Sequence, residues 1–407
     1  MNMKKNLAWN TFGSIFYSAC QWVITIIVVY VATYETAGVL SLAMTMSSSF
    51  SAIALFSMRN YQVSDVKGEF HTGQYVSSRI WTCGIAFVVC AIFAAVGNGT
   101  FQMLCIDAFM LIRVAEALVD VMHGVDQKFD RYDWIGISYI LRGVVTVLTF
   151  SIGLKLTEHL LVTLFFMAVF NLLAAVAFDC RKTGRLEEMP IHLADKKILK
   201  LLKTCLPLVV FTFLLSMENY IPKKVLEYFF GAEQLGIYST IASPTLVVQI
   251  FASVVFSPFL PQFSRIYYHG EIHKFRKLLH KVYLFMVGLC VVVTLGAVLL
   301  GKPGLFILFG ADILTYYDLF MPIVYCTLFT GIVWILSAVV ILLRRIKALV
   351  IAIIADFLLG IGIVVPIVQI FGPNGVSIVQ LITLPILIAM MIGICEVTSY
   401  QAKQGVV

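Results

Sequence analysis

No proline occurs before Pro190, although the chain contains eleven. The first half therefore cannot bend a helix by losing a backbone donor to proline, whereas Pro207, Pro244, Pro322, Pro366 and Pro385 fall inside apolar segments of the second half. Those positions are either tolerated membrane-helix prolines or bends used in a transport cycle. Charge is scarce as well: Asp, Glu, Lys and Arg make up 13% of 407 residues, against 60% hydrophobic residues. A soluble surface needs far more charge, so the composition excludes a soluble fold and leaves a polytopic membrane protein.

Catalytic signatures are also missing. No G-x-S-x-G, P-loop, H-E-x-x-H or G-x-G-x-x-G stands in a usable context. A membrane-embedded polysaccharide polymerase would need a long outside loop bearing catalytic residues, and the longest here is only 301–317. The chain is therefore read as a non-enzyme. The nine cysteines include no C-x-x-C pair, and Cys20, Cys83, Cys90, Cys105, Cys290, Cys326 and Cys395 fall in apolar runs, where they act as small packing residues. His269 and His273 form an i,i+4 pair in a basic loop, better suited to a solvated face than to a metal. No metal or other cofactor is implied. The net charge of +7 lies in short loops between apolar runs rather than on one arm, which points to membrane topology and away from nucleic acid.

What the sequence has in abundance is apolar stretches. A span needs about 20 largely apolar residues, and such stretches occupy 9–32, 37–58, 79–97, 101–122, 134–154 and 158–178, then 204–222, 236–259, 282–300, 318–343, 347–370 and 374–396. The basic start at Lys4 and Lys5 resembles a signal peptide, but the apolar run after it is too long and has no A-x-A site, so it is the first span. Residues 304–310, GLFILFG, are too short to span and read as a half-helix or interfacial segment.

The segment 179–203 carries seven Lys and Arg residues and separates six spans from six. With this connector and both termini on the cytoplasmic side, inside segments hold 23 Lys and Arg and outside segments four: Lys155, Lys223, Lys224 and Lys302. That asymmetry follows the positive-inside rule. Trp9, Trp81 and Trp134, near cytoplasmic helix ends, read as interfacial anchors. The halves also echo each other. Glu35–Ser41 aligns with Glu233–Ser239, each just before the second span of its half, and Gly68-Glu69-Phe70 answers Gly270-Glu271-Ile272. The expected fold is all-α, with twelve transmembrane helices in two six-helix lobes, 1–178 and 204–407, joined by the connector.

Ionisable groups at membrane depth mark the candidate site. Span four supplies Arg113, Glu116 and Asp120 within a stripe roughly 60° wide, with His123 at its inner end. Arg142 of span five should reach the depth of Glu116. The choice is between a buried ion pair that fixes packing and a cationic, protonatable lining for an anionic cargo, with Arg113 and Arg142 binding it and Glu116 and Asp120 setting the charge balance. In the second half Asp356 is a candidate proton or cation site, or a hydrogen bond to a neighbouring helix. Glu218 and Asn219 lie toward the outer end of span seven, and Gln249, Gln369 and Gln380 suit interhelical hydrogen bonds.

Two regions carry a family resemblance: Ala37 to Phe70, AGVLSLAMTMSSSFSAIALFSMRNYQVSDVKGEF, and its counterpart from Gly231 to Tyr267. They resemble the matching regions of Wzx-type O-antigen and capsule repeat-unit flippases of the multidrug/oligosaccharidyl-lipid/polysaccharide (MOP) superfamily, which includes the MATE exporters. The resemblance implies a secondary transporter in the bacterial inner membrane. Its cargo would be undecaprenyl-diphosphate-linked oligosaccharide, turned from the cytoplasmic to the outer leaflet with H+ or Na+ as the coupling ion. Membrane lipids and other polysaccharide-assembly proteins are the implied partners. By this resemblance, the positions where the family lines its cavity with basic and acidic side chains would be Arg113, Glu116, Asp120 and Arg142. The rival of the same superfamily is a MATE-like, cation-coupled exporter of drugs or metabolites.

Overall fold

The computed structural model describes residues 3–65, 68–249, 256, 263, 265–267 and 271–403. Lys67, His269, Gly270 and most of 250–259, which bear on the loop charges, the histidine pair, the repeat and span eight, lie outside the described residues. Contacts divide the chain into two compact units, Met1–Tyr220 and Ile221–Val407.

In the first unit the order is α1 (Met3–Val31), α2 (Tyr34–Leu55), α3 (Met58–Ser64), α4 (Thr72–Ala95), α5 (Thr100–Lys128), α6 (Tyr132–Thr157) and α7 (Leu160–Ala174). A π-helical turn, Ala175–Cys180, and the short α8 (Arg181–Thr183) follow. The most charged of these helices, α5, sits centrally, packing on α2, α3, α4 and α7, so its ionisable side chains meet protein rather than lipid. The helices α1 and α6 run against each other where both lack side chains. A Cβ on Gly13 would stand 2.7 Å from Gly136 Cα, closer than any real contact, so two glycines allow this approach.

Helix ends differ from the apolar stretches in instructive ways. The fourth helix begins at Thr72 rather than 79, and Arg79, expected at the cytoplasmic edge of the span, lies about two turns inside the helix with a side chain 0% exposed. An arginine can sit there because Asp120 neutralises it, so hydropathy alone placed the boundary one to two turns late. Span two continues as α3 past Phe56 and Ser57, whose positive φ values of 50° and 48° turn the chain without ending the helix path.

The helix α9 (Lys196–Ala242) extends past the expected loop at Lys223 and Lys224 to Gly231, whose φ of 86° is a left-handed conformation open to glycine. The connector before it lies along α4. Trp81 Nε1 donates to the Leu193 carbonyl at 3.0 Å, the His192 amide to Ser77 Oγ at 2.9 Å, and Gln74 Nε2 to Asp195 at 2.5 Å.

The second unit contains α10 (Ile272–Phe309), a 3-10 segment (Asp312–Leu319), α11 (Phe320–Leu342), α12 (Ile346–Phe371) and α13 (Pro373–Lys403). Residues 304–309 are no separate half-helix: α10 passes through Pro303 and ends only at Gly310, φ 84°. A helix 38 residues long can hold a proline because neighbouring groups compensate one lost backbone bond. Two buried hydroxyl pairs tie distant segments of this unit, Tyr238 with Ser377 at 2.9 Å and Thr245 with Thr327 at 2.8 Å.

Among the described residues ten helical stretches are long and apolar enough to cross a membrane. One, Lys196–Gln249, is 54 residues long and holds a span on each side of Gly231. The charged α5 is not among the ten but has 29 residues, more than the ~20 that crossing needs. Together these give the twelve expected spans. All nine cysteines are free thiols, seven of them buried, which agrees with a packing role.

Candidate functional site

The geometry is set by α5. From its midpoint Arg113 NH1 donates to Glu116 Oε2 at 2.7 Å, and Arg113 NH2 donates to Ser48 Oγ of α2 at 2.9 Å. Arg142 of α6 reaches Glu116 Oε1 at 3.8 Å, so Arg113, Glu116 and Arg142 are brought together. Tyr17 of α1 completes the group. Its hydroxyl donates to Glu116 Oε1 and accepts from Gln21 Nε2 at 2.9 Å and Arg142 NH2 at 3.3 Å. Both guanidiniums rest near aromatic rings, Arg142 at 5.0 Å from the Tyr17 centroid and Arg113 at 5.2 Å from that of Phe109.

The two arginines share one carboxylate, leaving the group one positive charge in excess when all are ionised. Arg113 and Glu116 keep 16% and 18% of their side-chain surface open, while Arg142 keeps 4%. An anion entering from the open side meets Arg113 first, and a planar fork of donors there can grip two oxygens.

Asp120 does not join this group. It turns to Arg79 at 2.9 Å and Arg59 at 3.3 Å, two arginines that sequence spacing had not linked to it. Arg79 NH1 also donates to the Ala54 carbonyl at 2.8 Å, and Arg59 NH2 to Gln127 at 3.3 Å. Asp356, 0% exposed in α12, belongs to the second unit and is described apart from the first. Glu218 is buried near the end of the first unit. Trp134 stacks beneath Arg131, with 3.8 Å from guanidinium to ring centroid, while Trp9 and Trp81 are exposed, as interfacial anchors would be.

Sequence reasoning missed Tyr17, Gln21 and Ser48. The first two lie one turn apart in a span otherwise dominated by apolar residues, a polar stripe that could have been read from i,i+4 spacing. Ser48 sits in a run of three serines, none distinguishable from the others before the helices pack. Among the described residues no cluster of three or more His, Cys, Asp or Glu could hold a metal ion.

The profile described as "Lipid II flippase MurJ" matches residues 98–312, just over half of the chain and including α5 and α6. A curated relative, the capsular polysaccharide biosynthesis protein CapF of Staphylococcus aureus, is 25% identical over 315 residues, covering 76% of this chain and 78% of that protein. Among solved structures, the lipid II flippase MurJ in an inward closed conformation aligns with a TM-score of 0.71 at 14% identity, covering 97% of this chain and 90% of that one. A mutant of the Vibrio cholerae MATE transporter VcmN aligns with a TM-score of 0.66 at 12% identity, covering 99% and 96%. These two structural likenesses concern the fold alone, the twelve-helix fold shared with MurJ and the MATE transporters.

Proposed function

Because this chain belongs to the MurJ lipid II flippase family, whose members are membrane transporters rather than enzymes, we propose that it flips undecaprenyl-diphosphate-linked oligosaccharide repeat units for surface polysaccharide. Transport runs from the cytoplasmic to the outer leaflet of the bacterial inner membrane by alternating access of two lobes, 1–178 and 204–407. The observation that carries the reading is the group around Arg113: two guanidiniums on one carboxylate, partly open, at membrane depth. A diphosphate supplies the charge this group lacks. The similarity to a capsular polysaccharide biosynthesis protein supports the same class of cargo.

Arg113 and Arg142 are the binding pair in this reading, and Glu116 sets their charge. Asp120 balances Arg59 and Arg79, and Asp356 is the candidate coupling carboxylate for H+ or Na+ in the second unit. Arg113→Ala and Arg113→Lys should each reduce delivery of polysaccharide to the surface at least tenfold with normal amounts of protein in the membrane, since lysine keeps the charge but loses the fork. Undiminished delivery by Arg113→Ala would refute the assignment.

Orientation rests on the 23 inside against four outside basic residues. Glu188→Cys in the exposed connector should be shielded from an impermeant thiol reagent in intact cells, and Lys155→Cys should label. Thr183 would be a poor reporter, being fully buried and bonded to Asp126. Rapid labelling at position 188 would reverse the topology.

A further inference from the structure

Closer to the end of α5 than the Arg113 group, that helix and the π-helical turn after α7 bring together a second set of ionisable residues that the proposed cargo does not use. His123, Asp126 and Asp179 are 1%, 2% and 2% exposed. His123 Nε2 lies 3.5 Å from Asp179 Oδ1, and among the described residues neither that nitrogen nor Asp179 Oδ2 has a hydrogen-bond partner. Thr183, one turn beyond Asp179, donates to Asp126 Oδ1 at 3.0 Å and so holds the second carboxylate beside the first. Asp179 is presented by the π-helical turn Ala175–Cys180, a form that often marks functional positions in helices.

Two carboxylates buried side by side repel each other when both carry charge. The neighbouring charges are Arg59 from α3, Arg142 from α6, and Arg131 just ahead of α6. Arg59 is committed to Asp120, Arg142 to the Glu116 group, and Arg131 to Asp133 at 2.8 Å. The cluster thus lacks a cation of its own, while His123 Nε2 and Asp179 Oδ2 are both buried without a hydrogen-bond partner among the described residues.

The cluster also touches the Arg113 group through aromatic rings. His123 meets Tyr139 edge-on at 5.1 Å, and Tyr139 packs on Tyr17 at 5.7 Å. The Tyr17 hydroxyl is the one bonded to Glu116. We propose that His123, Asp126 and Asp179 form a proton-binding site, and that the Tyr139 and Tyr17 rings report its occupancy to the Arg113, Glu116 and Arg142 group. One proton taken from water onto the Asp126 and Asp179 carboxylates leaves the pair a single negative charge, and the His123 ring moves against Asp179. The ring's edge contact with Tyr139 then changes, Tyr17 shifts on Glu116, and the two arginines are freed toward the anion. The coupling half of this proposal rests on the flippase reading; the proton site itself does not.

The test uses the full chain, purified and reconstituted in lipid, with infrared spectra recorded between about pH 5 and pH 8. A buried carboxyl signal should appear as pH falls. Asp179→Asn or Asp126→Asn should abolish it, and His123→Gln should move its midpoint by at least threefold in proton concentration. Tyr139→Leu should leave the signal in place but flatten the pH dependence of export in cells. A wild-type protein with no such signal overturns the site, as does a signal that survives both asparagine variants. Suppression of the signal by sodium at fixed pH would make sodium the ligand and overturn the proton assignment. Export by Tyr139→Leu with unchanged pH dependence would overturn the relay. An intact carboxyl signal in a protein that moves no lipid-linked oligosaccharide would leave the site standing and remove the flippase reading.

Discussion

Two clusters on α5 have the same stoichiometry and opposite character. Around Glu116, Arg113 and Arg142 share a carboxylate that is partly open and tied to a tyrosine. Around Asp120, Arg59 and Arg79 do the same, but Arg79 is fully enclosed and anchored to the Ala54 carbonyl on α2. Counting charges would assign both the same role. What separates them is what else each arginine is bonded to: Arg79 fastens α4 to α2 and α5, whereas Arg113 spends one arm on a serine hydroxyl that an incoming anion can replace. The two carboxylates are about equally open, 21% for Asp120 and 18% for Glu116, so it is backbone anchoring that marks the first as a fastening and the replaceable serine contact that marks the second as a binding group.

The sharpest way to break this comparison is to remove each carboxylate in turn. Asp120→Ala leaves Arg79 buried with no counter-charge, and uncompensated buried charges cost about 3–5 kcal/mol. It should lower the midpoint of thermal unfolding of the purified protein and its amount in the membrane. Glu116→Ala leaves Arg113 partly open to water and bonded to Ser48, and Arg142 still bonded to the Tyr17 hydroxyl, so stability should fall less while transport fails. Equal losses of stability in the two variants would show that the clusters are the same kind of fastening.

The pieces of this contrast were unevenly legible in the sequence. Apolar length alone located the spans, and the spacing of Arg113 and Glu116 together with the depth of Arg142 was enough to bring those three together. The partners of Asp120 were not legible, because Arg59 and Arg79 lie 61 and 41 residues away and only the packing of α3 and α4 on α5 makes them neighbours. Arg79 was hidden by the same logic that found the spans: a window that discounts charge ends a helix at an arginine, whereas a paired arginine is no obstacle. Residues 304–309 failed for the converse reason. Pro303 and Lys302 look like a break, yet a long membrane helix can absorb a proline when its other hydrogen bonds hold.

A smaller test asks whether the contrast depends on arginine at all, and Asp65 supplies a carboxylate held without one. It lies between α3 and α4, outside the spans, and accepts the amides of Glu69 at 2.9 Å and Phe70 at 3.0 Å and the Tyr75 hydroxyl at 3.1 Å. Partial burial works against its charge, but these donors outweigh that effect and hold the carboxyl below its ordinary range. A group whose folded pKa is depressed stabilises the fold at pH above its unfolded value, and that contribution fades as pH falls through the folded one. Asp65→Asn should therefore destabilise the loop at neutral pH, by about 1 kcal/mol once solvent screening is allowed for. The difference from wild type should shrink on acidification below the ordinary aspartate range, where both carry a neutral side chain. Hydrogen exchange at the Glu69 and Phe70 amides, followed in both proteins at neutral and acid pH, measures it. If the variant protects those amides as well as wild type does at neutral pH, backbone donors alone do not hold this carboxylate, and the loop owes its order to Phe70 and Tyr75 packing on Met58 and Leu201.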